Sequence, residues 1–439
     1  MVLRIDCENP FYDRIWHEDK LILRINESGQ YKVSSKQKAG NRVNVIDINT
    51  AKLGSIFPEN AKLRIAIKQG SIVIKAHASE SAIKMREESF IAAVNAGSIT
   101  AGSLFHGGGL LDWGMHAGFE KSKINSTTSY AVEIDSRYLN ASMKNNSHLF
   151  DANTIFINSD VADVHTHNMA QVNILYAGIP CQGASISGIS KNKLSFAEQH
   201  ESAGACFFSF LNIAKGTNAA VIVIENVKAY ISTASFAVIK SVLGSLGYDL
   251  HTDVYLGTDY GASERRERMV CIAVSKGLNF DNMLNEIADH IKACKTPHTP
   301  LADVLETLPL DHSAWKEVEY LKLKQVKDKA AGKGFRMQIL EPTDETCGCL
   351  GAGYFKSRST EPRLAHPTDK SLSRLFTKAE HARIKRAPEK IVDGLSETVA
   401  HQVLGNGVIV SLFEAIAFSI GVISKRSLSY NKASSVALA

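Results

Sequence analysis

The chain has 439 residues, more than one hydrophobic core usually organises, so two or three domains are expected. Its 44% hydrophobic fraction is that of an ordinary globular protein; no run of about 18 apolar residues offers a membrane span, and MVLRIDCENP is too polar for a signal peptide. The net charge of +5 is modest, and the seven scattered cysteines contain no CxxC pair, which argues against a disulfide framework or a zinc site. A soluble cytoplasmic protein with free thiols and no metal is the expectation.

Residues 1–76 read as short alternating segments (KLILRI, KLRIAI, SIVIKA) separated by polar turns, which predicts a small β-rich module. SESAIKMREESFIAAVNAG then carries helix start and stop signals, ending at Gly97, so an N-terminal β-rich extension closed by a helix spans 1–97. From Ser98 the pattern becomes buried strands alternating with helix-length segments: SITAGSLF, SYAVEI, TIFIN, VNILYAG, AVIVIEN and MVCIAV. That alternation predicts an α/β domain over 98–275, with a doubly wound, mostly parallel sheet whose ligands bind at the carboxyl ends of the strands.

Between 276 and 396 the alternation disappears and prolines and basic residues increase, which marks a second, smaller, irregular domain. Lys356 to Lys390 holds ten Lys or Arg against four Asp or Glu. Such an excess suits either a polyanion-facing surface or a solvated face. HQVLGNGVIVSLFEAIAFSI restores an apolar helix, taken as 397–425, that needs the first domain's core; the tail 426–439 reads as loosely ordered.

The strand ends carry the chemistry. SLFHGGGLLDWGMHAGF is a strand, a glycine-rich turn and a helix, where Gly107, Gly108 and Gly109 let the backbone approach a ligand. The next strand ends in Glu133 and Asp135, placed for ribose hydroxyls, and the third is followed by Asp160, within reach of an adenine edge. Glycines, an acid and an acid describe an adenosine site. The lack of GxGxxG favours S-adenosylmethionine over a dinucleotide.

At the other strand ends, VNILYAG leads through Pro180 to Cys181, and the small residues after it could close as a lid. A thiol is a weak nucleophile at neutral pH unless cations or backbone donors favour the thiolate. AVIVIENV delivers Glu225 and Asn226, a carboxyl suited to a heterocyclic nitrogen. In SERRER, residues two apart share a side, so Glu264, Arg266 and Arg268 would line one surface.

These residues, in order from about Gly102 to Gly421, resemble the C5-cytosine DNA methyltransferase family: FHGGG with the downstream GF, VEID, GIPCQG, IENV, SERRER, RLFTKAEHARI and LGNGV. The resemblance implies a Rossmann-like S-adenosylmethionine-dependent fold with a target recognition domain, here between about Lys276 and Ser373. It implies that the Cys181 thiolate adds to C6 of a cytosine flipped from duplex DNA, that Glu225 assists at N3, and that Arg268, with Arg266, holds O2. Phe105, Gly107, Gly109 and Pro180 would approach the cofactor, Glu133 would bind its ribose, Asp160 its adenine, and Asn406 would steady the catalytic elements. A monomer acting on double-stranded DNA, away from membranes and associated with the nucleoid, is the implied setting.

The chain departs from the family pattern at Ser103 for Asp, Leu110 for Gly, Ala184 for Phe, and Glu264 for Gln. The last adds negative charge near the thiolate and is expected to blunt the arginines. Two other readings stay open: a transfer-RNA methyltransferase with the same motifs, and a catalytically silent nucleic-acid-binding regulator. Residues 1–97 lie outside the resemblance.

Overall fold

The structure is a computed structural model that describes residues 2–4, 11–26, 29–38, 41–57, 61–180, 205–279 and 282–437. It separates into two compact units, 1–85 and 86–439.

The first unit is β-rich. Phe11–Trp16, Lys20–Ile25, Tyr31–Lys32, Leu63–Lys68 and Ser71–Ala76 form one antiparallel sheet, and Val2–Arg4, Ser34–Lys38 and Asn41–Asp47 form a second. Tyr12, Leu21, Leu23, Ile46, Ile72 and Ile74 share its core. The alternation of KLILRI and SIVIKA sends every second residue to that core, as half-buried strands require.

The second unit is built on seven strands, labelled here β1 (Ser98–Leu104), β2 (Asn125–Glu133), β3 (Ile155–Asn158), β4 (Ile174–Gly178), β5 (Val221–Val227), β6 (Tyr248–Leu256) and β7 (Glu267–Ser275). They lie in the order β3-β2-β1-β4-β5-β7-β6, with β1 to β5 parallel and β7 antiparallel to both its neighbours. All six strands expected in this region are present. The sequence reading missed β6, an edge strand whose Asp249, His251 and Asp253 are only half-buried and break the apolar run that marked the others.

Both faces of the sheet are covered, which is why its central strands β4, β5 and β7 are largely apolar. Ile99, Ile174, Tyr176, Val221, Val223, Val270 and Ile272 point into one core, and Leu104, Leu175, Ile222, Ile224, Met269 and Cys271 point into the other. The first core is closed by α1 (Leu110–Lys121), α5 (Met283–Ala293), α7 (Glu397–Asn406) and α8 (Val410–Ala437). The second is closed by α3 (Cys206–Thr217) and α4 (Ala234–Ser245). α2 (Ser136–Asn145) follows β2. A side chain at Gly118 would overlap the Glu414 carbonyl, so that glycine lets α1 and α8 touch along their backbones.

Two expectations about the C-terminal region are corrected. The apolar stretch is two helices, α7 and α8, separated at Gly407, where the backbone is extended. After 425 the chain continues as helix to Ala437, and Leu428 still packs into the first core. Among the described residues no single helix is long and apolar enough to cross a membrane. The apolar faces of α7 and α8 are spent on the core, with Val403, Leu404, Phe413, Ile416 and Ile420 buried.

Between α5 and α6 (Lys378–Ile384) lie four short strands, Lys316–Glu317, Ile339–Leu340, Arg363–Ala365 and Leu372–Arg374, in one small sheet. Leu301, Val304, Cys347, Leu350, Tyr354, Leu364 and Phe376 give this lobe its own core. Two- and three-residue strands carry too little alternation to be read from sequence. Thr377 and Glu380 form a capping box that starts α6, and the Glu380 carboxylate accepts two 2.6 Å hydrogen bonds from the buried Arg374 guanidinium.

Candidate active site

β7 runs opposite to β1–β5, so its first residues lie where the parallel strands end; Arg268 stands in register with Val227. One cleft of about 500 Å³ follows this edge. Phe105, Gly107, Glu133, Asp160, Pro180, Glu225, Arg266, Arg268 and Asn406 all line it. Gly109 does not: it starts α1 and faces Ser142 and Asn146. Cys181 lies outside the described residues, as does the lid expected after it; its neighbour Pro180 is on the cleft wall.

At one end of the cleft the glycine turn is held by groups close in sequence. Gly107 has φ +58°, and a Cβ there would meet open space on the cleft side. Its N–H donates to Glu133 Oε2 at 2.7 Å, while Asp135 N–H donates to Glu133 Oε1 at 2.9 Å. Phe105 also has a positive φ, +56°, a conformation that strains a side-chain-bearing residue by roughly 1–3 kcal/mol and recurs at ligand sites. Asp160 caps the turn after β3 by accepting from Ala162 N–H at 2.9 Å.

Beneath the turn runs a buried polar network. Ser103 Oγ donates to Asp112 Oδ2 at 2.7 Å and lies 2.9 Å from His106 Nδ1. His106 Nε2 is 2.7 Å from Ser142 Oγ, and Asn146 Nδ2 donates to the Gly108 carbonyl at 2.9 Å. Ser103 departs from the family pattern, and its hydroxyl is bonded to the carboxylate of Asp112 in the first turn of α1.

At the other end, Arg268 Nε lies 3.0 Å from Glu225 Oε1, both partly open to the cleft. Asn226 Nδ2 donates to the Ile179 carbonyl at 3.1 Å, tying the end of β5 to the approach to Pro180. Arg266 Nη2 donates to the Gly405 carbonyl at 3.3 Å and Nη1 lies 3.2 Å from Cys349 Sγ.

The expected common surface of Glu264, Arg266 and Arg268 is corrected. Both arginines line the cleft, but Glu264 is fully buried behind it. Its Oε2 accepts from Lys385 Nζ at 2.5 Å, and its Oε1 accepts from Leu350 N–H at 2.9 Å and lies 3.4 Å from Arg266 Nη1. Burial alone would raise its carboxyl; Lys385 and Arg266 instead hold it at about 2. Its charge is matched where it stands, behind the cleft.

Several lining residues were missed. Ile134 is 66% exposed beside Glu133 and forms an apolar wall with Phe105 and Tyr138. An apolar residue between two acids at a strand end was a legible signal. His106 and Cys206 had none; burial pushes the Cys206 thiol up, with Asp160 adding to it.

A mostly parallel sheet with an antiparallel strand pair at one edge, and a cleft of glycines and acids at its carboxyl ends, defines a methyltransferase-type α/β protein. Its fold is similar to that of solved structures titled Dnmt2 methyltransferase from S. pombe (TM-score 0.56, 17% identity, 75% of this chain and 99% of that one) and Entamoeba histolytica methyltransferase EhMeth (TM-score 0.55, 19% identity, 74% and 98%). Residues 99–422 match the family model of the C-5 cytosine-specific DNA methylases, and the chain belongs to that family. It is therefore a DNA (cytosine-5-)-methyltransferase. Similar curated proteins include the Type II methyltransferases M.HhaI of Haemophilus parahaemolyticus (27% identity, 60% of this chain and 80% of the relative) and M.NlaX of Neisseria lactamica (27% identity, 69% and 91%). Residues 1–98 lie outside the family match.

Proposed function

We propose that the protein methylates C5 of a cytosine flipped out of duplex DNA, using S-adenosylmethionine and a transient bond between Cys181 sulfur and C6. The observation that carries this reading is the cleft, which joins a glycine-and-acid cradle at one end to the Glu225–Arg268 pair beside Pro180 at the other.

The cradle suits the cofactor's shape and charge. The open side of Gly107 leaves room for a ligand, Phe105 and Ile134 offer apolar surface to an adenine, and Glu133 and Asp160 offer acceptors for ribose and ring nitrogens. When bound, S-adenosylmethionine supplies an electrophilic methyl group. C5 of cytosine is too weak a nucleophile to take it unaided. Addition of Cys181 to C6 pushes an electron pair towards C5 and the N3–O2 side of the ring. Glu225 would hold N3 and the amino group, and Arg268, backed by Arg266, would hold O2 and favour the thiolate. After C5 takes the methyl group, a base removes the C5 proton and the electron pair left behind expels the sulfur.

Residues 276–396 are proposed as the target recognition domain, with the exposed Lys356, Arg358, Lys370, Arg386 and Lys390 meeting phosphates, which position DNA without specifying sequence, while Arg363, Arg374 and Lys385 of the same basic stretch are buried. The chain would act as a monomer on nucleoid DNA in the cytoplasm. Type II relatives favour a modification role in a restriction–modification pair. Bisulfite sequencing of DNA from expressing cells should reveal 5-methylcytosine at one sequence, and Cys181→Ala should abolish it. Radiolabel entering bulk transfer RNA but not duplex DNA would overturn the substrate, and an active Cys181→Ala variant would overturn the mechanism.

A further inference from the structure

Glu264 breaks the family pattern, and the structure places its compensation 121 residues away, in Lys385 at the end of α6. Both side chains are fully buried. Arg266 is 5% exposed and shares the site, so a cation in the cleft wall meets a buried anion and a second buried cation behind it. A buried charge persists only where its partners are held in good geometry. Here the partners are also backbone. Arg265 N–H donates to the Cys347 carbonyl at 3.0 Å, Ser263 N–H to the Ile384 carbonyl at 3.0 Å, and Val410 N–H to the Lys385 carbonyl at 3.2 Å. The segment before β7, the small-sheet lobe, α6 and the start of α8 therefore converge on one ion pair.

We propose that Lys385 is a positioning residue for methyl transfer: by holding one oxygen of Glu264, it leaves the other to Leu350 N–H and keeps Arg266 at the cleft wall. This rests on the reading of Arg266 as part of the active site. Without Lys385, both Glu264 oxygens are left with Arg266 as their only side-chain cation among the described residues, and the guanidinium is drawn back from the cleft. Without Glu264, the buried Lys385 ammonium loses its carboxylate and is left beside the like charge of Arg266. Carboxylate and ammonium thus act as an exchangeable unit, and a neutral pair of similar size should serve in their place.

The test is a double-mutant cycle on the full-length chain, with Glu264→Gln, Lys385→Gln and the double variant, read by steady-state methyl transfer to duplex DNA at a temperature where unfolding curves show each variant folded. A displacement on the order of 1 Å is enough to cost about 10²-fold in rate, so each single variant should lose kcat by roughly that factor. KM for DNA should move far less, because the arginine is needed in the transition state rather than in the first encounter. The double variant should recover to within a few-fold of wild type. If a single variant does not fold, the double variant decides alone. A folded double variant as inactive as its parents, or a Lys385→Gln variant with wild-type kcat, overturns the inference. A wild-type chain that methylates no duplex DNA overturns the functional reading instead, so the two failures are distinct.

Discussion

The two ends of the cleft are held from very different distances along the chain. At the cofactor end, Ser103, His106, Asp112, Glu133, Ser142 and Asn146 bond to one another or to the glycine turn, all within one strand–turn–helix repeat and its successor. At the target end, Glu264 and Arg266 depend on Leu350, Cys349, Lys385 and Gly405, between 83 and 139 residues away. The contrast teaches that the first end is a local motif carried intact by its own segment. The second exists only once the lobes have folded together.

Substitutions should therefore fail differently at the two ends. The largest effect is expected at Glu225, where Glu225→Gln removes the charge facing Arg268 and should lower kcat by roughly 10²–10⁴-fold. Steady-state methyl transfer should show KM for the cofactor nearly unchanged. A comparable rise in that KM would break the division of labour.

At the cofactor end the expected loss is in stability first. Asp112→Ala strips a buried carboxylate from Ser103 and His106 and should cost about 3 kcal/mol in urea unfolding, the range for orphaned buried polar groups. Folded protein at saturating cofactor should retain most of its kcat.

Glu361 tests whether the target end is electrostatically continuous with its lobe. Burial pushes this carboxyl up to about 7, Arg358 opposes the shift, and Glu264 adds to it. Between the ordinary carboxylate value near 4.5 and about 7, the folded chain holds a proton that the unfolded chain has released. Stability from this group is therefore full at acid pH and falls as pH rises through that window. Glu361→Gln should flatten the fall, gaining about 3 kcal/mol at pH 8 and nothing at pH 4. Equal gains at both pH values would show that the charge is irrelevant.

The smallest effects separate two neighbouring glycines. Gly109→Ala forces φ +81° on a side chain that would crowd Asn146 and Ser142, so it should destabilise by more than the ~1–2 kcal/mol of a left-handed residue alone. Gly107→Ala meets open space, so only the backbone strain remains, and its larger effect should appear as a raised KM for S-adenosylmethionine.

The sequence by itself determined the parallel sheet and its strand ends. Runs such as AVIVIEN are apolar on both faces because both faces are buried, and the motifs that follow them fall in order around one edge. It also determined the cofactor cradle, since Gly107 and Glu133 are brought together by adjacent parallel strands in register. The tertiary structure alone decided what becomes of Glu264. A buried charge is defined by its partners, and Lys385 and Leu350 have no spacing relation to it that periodicity or motif could expose. The same holds for the edge strand β6 and for α8 beyond 425, whose states follow from one-sided burial and from packing against a core assembled elsewhere.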